Sequence, residues 1–233
     1  MRVGILADIH ANLPALQAVL VEARNLSVER LLVLGDLVGY YYWPAECIDM
    51  LDAWPTDMVI GNHEEMLAVA ETNEAEAQRI LTTYGSGLSS ALADLDADAL
   101  ARLSNLPRSL EVQIESRRVL LCHGAPWSTD TYVYPDADHS VRQEMARGSH
   151  DLVLFGHTHY PVDWALGSTR IINPGSVGQQ RNRRPGAHWL CWDVATDSYD
   201  LRVEAYDVAT VQAASDRRDP NLPYLSQVLT RHD

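Results

Sequence analysis

The sequence predicts a layered α/β protein. Two features predict it: short, β-branched apolar runs bounded by Gly, Asp and Asn, and Ala/Leu-rich segments with helical spacing between them. Runs of the first kind form strands buried on both faces, and their alternation with helices builds layers. A third feature concerns chemistry: five of the runs end in carboxylate, imidazole or amide side chains.

In chain order, "RVGILA" is a strand that runs into Asp8 and His10. The following "NLPALQAVLVEARN" is a helix, with Asn12 as N-cap, Pro14 in its first turn and Leu13, Leu16, Val19 and Leu20 on its apolar side. "RLLVLG" runs into Asp36, "PAECIDMLDAW" is a second helix, and "DMVIG" runs into Asn62 and His63. Residues 64–104, rich in Ala, Leu and Glu, read as two or more helices around "TYGSG". "RVLLC" leads to His123, "SVRQEMARGS" is a helix closed by Gly148, and "DLVLFG" leads to His157 and His159. "TRIIN" ends at Pro174 and Gly175, and "HWLCWDV" with "YDLRVEAYDV" forms an antiparallel hairpin around "ATDS". From about residue 216 a polar tail with a short helix follows, suited to packing on a neighbour.

The 233 residues suffice for one large core, and no repeat or Gly/Ser linker divides them. Residues 1–233 therefore read as a single domain, with a helical insertion at about 64–104 and a C-terminal tail from about 216. No apolar stretch is long enough to cross a bilayer. The N-terminus also meets Asp8 and His10 too soon for a signal peptide, so a cytoplasmic protein is expected. Cys47, Cys122 and Cys191 are far apart and lack CxxC spacing, which suits buried reduced thiols. The net charge of −14 disfavours nonspecific binding to nucleic acid or anionic membrane. There is no lysine, which excludes Schiff-base chemistry and a P-loop lysine.

In parallel sheets, ligands bind beyond the carboxyl ends of the strands. The five run ends thus bring Asp8, His10, Asp36, Asn62, His63, His123, His157 and His159 to one rim. Carboxylate, imidazole and amide oxygen suit divalent Mn, Fe, Co, Ni or Zn. Eight groups exceed the needs of one ion with four to six positions, so two ions fit better, roughly 3.5–4 Å apart in sites of this kind. Each residue alone has an ordinary role open to it: Asp8 and Asp36 as turn caps, Asn62 as a turn residue, His123 as a core histidine. Five strand ends together do not. His139, His150, His188 and His232 lack this setting.

The motifs "DIH" (8–10), "GDLVG" (35–39), "GNHE" (61–64), "CHG" (122–124) and "GHTH" (156–159) resemble, in content and order, those of the calcineurin-like metallophosphoesterases. "NPGSVGQQR" (173–181) is similar to the closing motif of the small prokaryotic YfcE-like phosphodiesterase branch. The resemblance implies an α/β/β/α sandwich of mixed β-sheets flanked by helices. It implies that Asp8, His10 and His159 hold one divalent metal, that Asn62, His123 and His157 hold a second, and that Asp36 bridges them. Manganese comes first among the metals, with Fe, Ni, Co and Zn as alternatives. His63 would be the catalytic residue beside the leaving group. The implied activity is hydrolysis of small phosphodiesters, nucleotide-like ones included, by a hydroxide held between the metals.

Two alternatives stand beside it: a phosphomonoesterase or a nucleotide pyrophosphatase of the dinucleoside polyphosphate type, and a non-catalytic partner-binding protein on the same fold. The second is at odds with the presence of His63 and of all seven ligand positions. Ala11 stands where relatives often carry Gly. The "GYYYWPAEC" segment lacks the Asp-Arg-Gly usual in protein phosphatases and symmetrical dinucleoside tetraphosphatases. Tyr40, at the head of the Tyr40–Trp43 run, either stacks on substrate or packs the following helix. Arg181, within the closing motif, is a candidate phosphate clamp, whereas Arg183 and Arg184 suit a solvated loop equally well. A homodimer would use the 64–104 helices or the tail.

Overall fold

The computed structural model describes residues 1–232. Strand β1 (Arg2–Leu6), helix α1 (Leu13–Asn25), β2 (Arg30–Val33), α2 (Pro44–Asp52) and β3 (Thr56–Met58) form the first half of the α/β pattern. Four helices follow: α3 (Asn62–Thr72), α4 (Glu74–Tyr84), α5 (Gly87–Asp94) and α6 (Ala97–Ser104). Next come β4 (Ser109–Ile114), β5 (Arg117–Cys122), α7 (His139–Met145), β6 (Leu152–Leu154), β7 (Val162–Leu166) and β8 (Thr169–Asn173). The chain closes with β9 (Ala187–Asp193), β10 (Ser198–Glu204), α8 (Val208–Arg218), α9 (Tyr224–Gln227) and a 3₁₀ turn, Val228–Thr230.

The strands make two mixed five-stranded sheets, ordered β10-β9-β1-β2-β3 and β4-β5-β6-β8-β7. They pack face to face: Val3, Ile5, Leu32 and Trp192 of the first sheet share one buried cluster with Val119, Leu121, Leu154 and Ile172 of the second. The outer face of the first sheet, including Leu6, Leu31 and Trp189, packs on the helices through Leu16, Leu20, Cys47 and Leu51. The outer face of the second packs Val153 and Ile171 with Met145 of α7. This is the α/β/β/α sandwich that the resemblance implies.

Register positions the functional rim. Parallel pairing sets Leu6 beside Val33 in the first sheet, and Leu121 beside Leu154 beside Ile172 in the second. Strands that end level deliver their following loops side by side.

Several elements differ from the sequence expectation. The "DMVIG" strand stops at Met58, and α3 starts at Asn62, so Asn62 and His63 occupy the first turn of a helix. Strands β4 and β7 lie at the edges of their sheet, where alternate residues face water, so neither shows an apolar run. Helix α7 ends at Met145, before Gly148. The tail folds back onto its own chain: Leu225, Val228 and Leu229 are buried with Tyr41 and Tyr42. Asn12 caps α1 as expected, accepting from the Ala15 amide at 3.2 Å. The three cysteines are buried and unpaired. Among the described residues, no helix is long and apolar enough to cross a membrane.

Candidate metal centre

The loops after β1 and β2 are laced together by backbone hydrogen bonds: Asp8 N to Gly35 O at 3.2 Å, His10 N to Asp36 O at 2.9 Å and Ala11 N to Leu37 O at 2.8 Å. The second sheet joins them where Gly156 N donates to His123 O at 2.7 Å and His157 N donates to Asp8 Oδ1 at 3.0 Å. This lacing holds five of the Asp and His residues at the rim in the left-handed region: Asp8 (φ 53°), His10 (51°), Asp36 (54°), His157 (70°) and His159 (63°). Each such residue costs on the order of 1–3 kcal/mol and persists only where its surroundings over-determine it. Five at one rim mark a site where side-chain direction outranks backbone comfort.

Three imidazoles share one orientation rule. His10 Nδ1 lies 3.1 Å from Val38 O and His123 Nδ1 2.7 Å from Leu34 O, while His159 Nδ1 donates to Gln179 O. A backbone carbonyl on Nδ1 fixes the proton there and turns the Nε2 lone pair inward, the usual arrangement behind a metal-binding histidine. Asp36 Oδ2 lies at the meeting point, 3.3 Å from His123 Nε2, 3.7 Å from His10 Nε2 and 4.0 Å from His63 Nε2. Asp8 Oδ1 is 3.5 Å from His159 Nε2, and Asn62 Oδ1 is 3.0 Å from His123 Nε2.

Two groups of ligand atoms result, Asp8–His10–Asp36–His159 and Asp36–His123–His157, each with its atoms within 4.8 Å of one another. Asp36 belongs to both. All six residues are buried.

The donor set fits a pair of divalent cations. His10 Nε2 and His159 Nε2 face each other at 3.1 Å, yet both rings already spend their proton on a carbonyl. Two lone pairs so close are relieved by a cation between them. His157 Nε2 is buried without a hydrogen-bond partner. Burial pushes the Asp8 carboxyl up to about 8, the neighbouring Asp36 charge adding to it against the opposing pull of His123. Burial likewise holds His10 and His159 well below the usual imidazole range. Asp36 resists the same burial through His123 and His63 and stays well below the usual carboxylate range. Burial opposes a charge on His123 too, but Asp36 raises it to about 10. The metal-free site thus carries a proton between Asp36 and His123 that a divalent cation would displace.

His63 stands outside both ligand groups. Its backbone N–H donates to Asp36 Oδ1 at 2.9 Å, and its ring centroid is 4.7 Å from both His10 and Tyr40. Burial lowers it to about 4, so the ring is neutral near pH 7. Tyr40 is next to it, with its hydroxyl accepting from Arg181 Nη2 at 3.0 Å. Tyr41 and Tyr42 instead turn toward the tail, donating to Leu225 O at 3.0 Å and Asp219 Oδ2 at 2.7 Å. Arg183 and Arg184 are exposed. His150 and His188 lie elsewhere, His150 Nε2 3.1 Å from Glu111 Oε1 and His188 Nε2 hydrogen-bonded with the Arg184 carbonyl.

Residues 1–197 match the family described as the calcineurin-like phosphoesterase superfamily domain. The chain belongs to that superfamily. It is a metallophosphoesterase. A Methanocaldococcus jannaschii protein, MJ0912, is 29% identical over 225 residues, covering 88% of each chain. The Escherichia coli phosphodiesterase YfcE is 22% identical over 193 residues, covering 82% of this chain and 86% of its own. Among solved structures, a metallophosphoesterase from Sphaerobacter thermophilus matches with a TM-score of 0.78 at 27% identity, over 99% of both chains. PH1004 of Pyrococcus horikoshii matches in fold, with a TM-score of 0.86 at 22% identity over 99% of this chain and 98% of its own.

In this metallophosphoesterase one residue that sequence reasoning left without a role is Glu64. Its buried carboxylate accepts from the amides of Asp36 (2.9 Å), Leu37 (2.7 Å), Val38 (3.0 Å) and Gly61 (2.8 Å). It ties the loop that presents Asp36 to the start of α3. The "GNHE" motif contained it, but an acidic residue in a first helical turn looks like an ordinary dipole complement. Only burial separates the two roles.

Proposed function

We propose that this metallophosphoesterase hydrolyses small phosphodiesters at a dinuclear centre, in the cytoplasm, as a single domain elaborated by the 64–104 helices and the tail. Asp8, His10 and His159 would hold one divalent cation, Asn62, His123 and His157 the other, and Asp36 both. The observation that carries this is the sharing of Asp36 between two buried ligand groups. Manganese is the first metal to test, because oxygen and imidazole donors without thiolate suit it. Bound there, such cations supply Lewis-acid charge for the phosphate oxygens and make water more acidic.

The chain's own residues then do three things. Asp36 and Asp8 provide the anionic charge that fixes the cations, held in aim by the amides that lace their loops. His63, neutral and outside both ligand groups, offers an N–H hydrogen bond to the departing oxygen and stabilises the negative charge that develops there. Arg181 donates to a non-bridging phosphate oxygen from the far side of Tyr40.

The diester preference is supported by the similarity to the E. coli phosphodiesterase YfcE. Chelator-stripped protein reloaded with manganese should turn over an aryl phosphodiester faster than the matching monoester, and Asp36→Ala should reduce both to background. A monoester preference would move the reading to a phosphomonoesterase. Turnover that survives Asp36→Ala would remove the dinuclear reading altogether.

A further inference from the structure

Beside His63 lies a cleft of ≈ 290 Å³ lined by residues that include Tyr40, Tyr84, Arg181, Leu222, Tyr224 and Leu225. Three of these residues come from the C-terminal tail, beyond the 1–197 span that matches the superfamily. The Tyr84 ring is 5.6 Å from His63 and 6.1 Å from Tyr40. His63 therefore shares a wall with the cleft.

Arg181 forms the inner end. Its guanidinium meets only neutral acceptors, Tyr40 Oη at 3.0 Å and Gln179 Oε1 at 3.1 Å. Among the described residues it makes no ion pair, although most arginines of this acidic chain do. Its Nη1 makes none of these bonds, so the fork retains donors for an anion. No carboxylate lines the cleft, so an anionic ligand meets no repulsion there.

The walls are held in place. Asp219 accepts from Tyr42 Oη at 2.7 Å, from Ser86 N at 2.9 Å and from Ser86 Oγ at 2.9 Å. One carboxylate thus joins the Tyr40–Tyr42 segment, the α4–α5 turn and the tail. A cleft with fixed tyrosine and leucine walls is preformed, and its volume is at the low end for small-molecule pockets. That suits one ring-bearing group.

We propose that this cleft binds the leaving-group half of the substrate, that this half carries an aromatic ring, and that Tyr84 and Tyr224 are its ring-binding residues, with Arg181 on the adjoining phosphate. The inference rests on the phosphodiesterase reading above, because it takes His63 as marking the leaving-group side. An aryl ester and a nucleoside ester both offer such a ring.

Calorimetric titration of manganese-loaded protein with phenylphosphonate and methylphosphonate tests this without turnover, since neither C–P bond is hydrolysed. The wild type should prefer phenylphosphonate by about tenfold, the affinity ratio that one good ring contact supplies. Tyr84→Ala and, at a more exposed position, Tyr224→Ala should each shrink the ratio, and Tyr84→Phe should keep it. Equal affinities in the wild type, or a ratio unmoved by both alanine variants, would overturn the proposal while leaving the metal centre intact. Failure of both phosphonates to bind would instead overturn the phosphoesterase-site reading, and this inference with it. The methylenephosphonate analogue of AMP separates the two ring sources. Tighter binding than phenylphosphonate supports a nucleoside leaving group, and weaker binding an aryl one.

Discussion

The metal centre and the tail-lined cleft touch through His63, yet they are built in opposite ways. Every proposed ligand of the centre except Asn62 is fully buried or nearly so, and adjacent loops fix one another through backbone amides. The cleft is half open, and its walls come from segments far apart in sequence, at residues 40, 84, 181 and 222–225. A centre that handles the reaction tolerates little movement, because misplacement of a donor by 1 Å costs rate steeply. A cleft that selects a leaving group needs only shape, and shape can be supplied by a tail outside the family's shared span. The proposed division places chemistry in the strand-end loops and selectivity in the appendage.

The largest effect that sharpens this division is expected from His63→Ala. Because His63 belongs to neither ligand group, the variant should keep its metal content, measured by atomic emission. Its kcat on an aryl diester should fall by about 10²–10³-fold, the range for loss of one hydrogen-bond donor to a developing oxyanion. Loss of metal along with activity would place His63 in the centre's scaffold instead.

Next comes Glu64→Ala. It strips the acceptor from four buried amides, each costing about 1–3 kcal/mol if left unpaired; with water entering the space, a loss of roughly 2–4 kcal/mol is expected by denaturant titration. The loop carrying Asp36 would loosen, so manganese affinity should fall alongside, by about 10–100-fold as for other outer-shell partners. Unchanged affinity in a destabilised variant would mean that the Asp36 loop is held by its lacing to residues 8–11 alone.

How much of this was legible before folding divides along the same line. The eight rim residues could be read because each closes a short apolar run, and level strand registers convert such run ends into neighbours. The left-handed backbone at Asp8, Asp36 and His157 was not legible, since these are not residues that require it. Strands β4 and β7 escaped because edge strands alternate and lack a continuous apolar stretch. The tail's packing on its own chain was not legible for a related reason: its apolar residues, Leu225, Val228 and Leu229, are spaced among polar ones, so its average looked solvated. Its partner, the Tyr40–Trp43 run, lies some 180 residues away, and no local pattern connects the two.

The smallest expected effect tests that connection. Tyr42 donates to Asp219 at 2.7 Å, and Asp219 also accepts from the Ser86 amide and hydroxyl. Tyr42→Phe removes one of three bonds to a charged acceptor while keeping the ring that packs beneath Arg218, whose guanidinium lies 4.9 Å from it. The expected loss of stability is about 1 kcal/mol, and up to about 3 if the carboxylate finds no substitute. Because the metal centre has its own lacing, kcat on a small diester should hold. Any change should fall on KM for ring-bearing substrates, as the α4–α5 turn and the tail gain freedom. A drop in kcat of the same size as the rise in KM would show the opposite, that the cleft's walls help to aim His63.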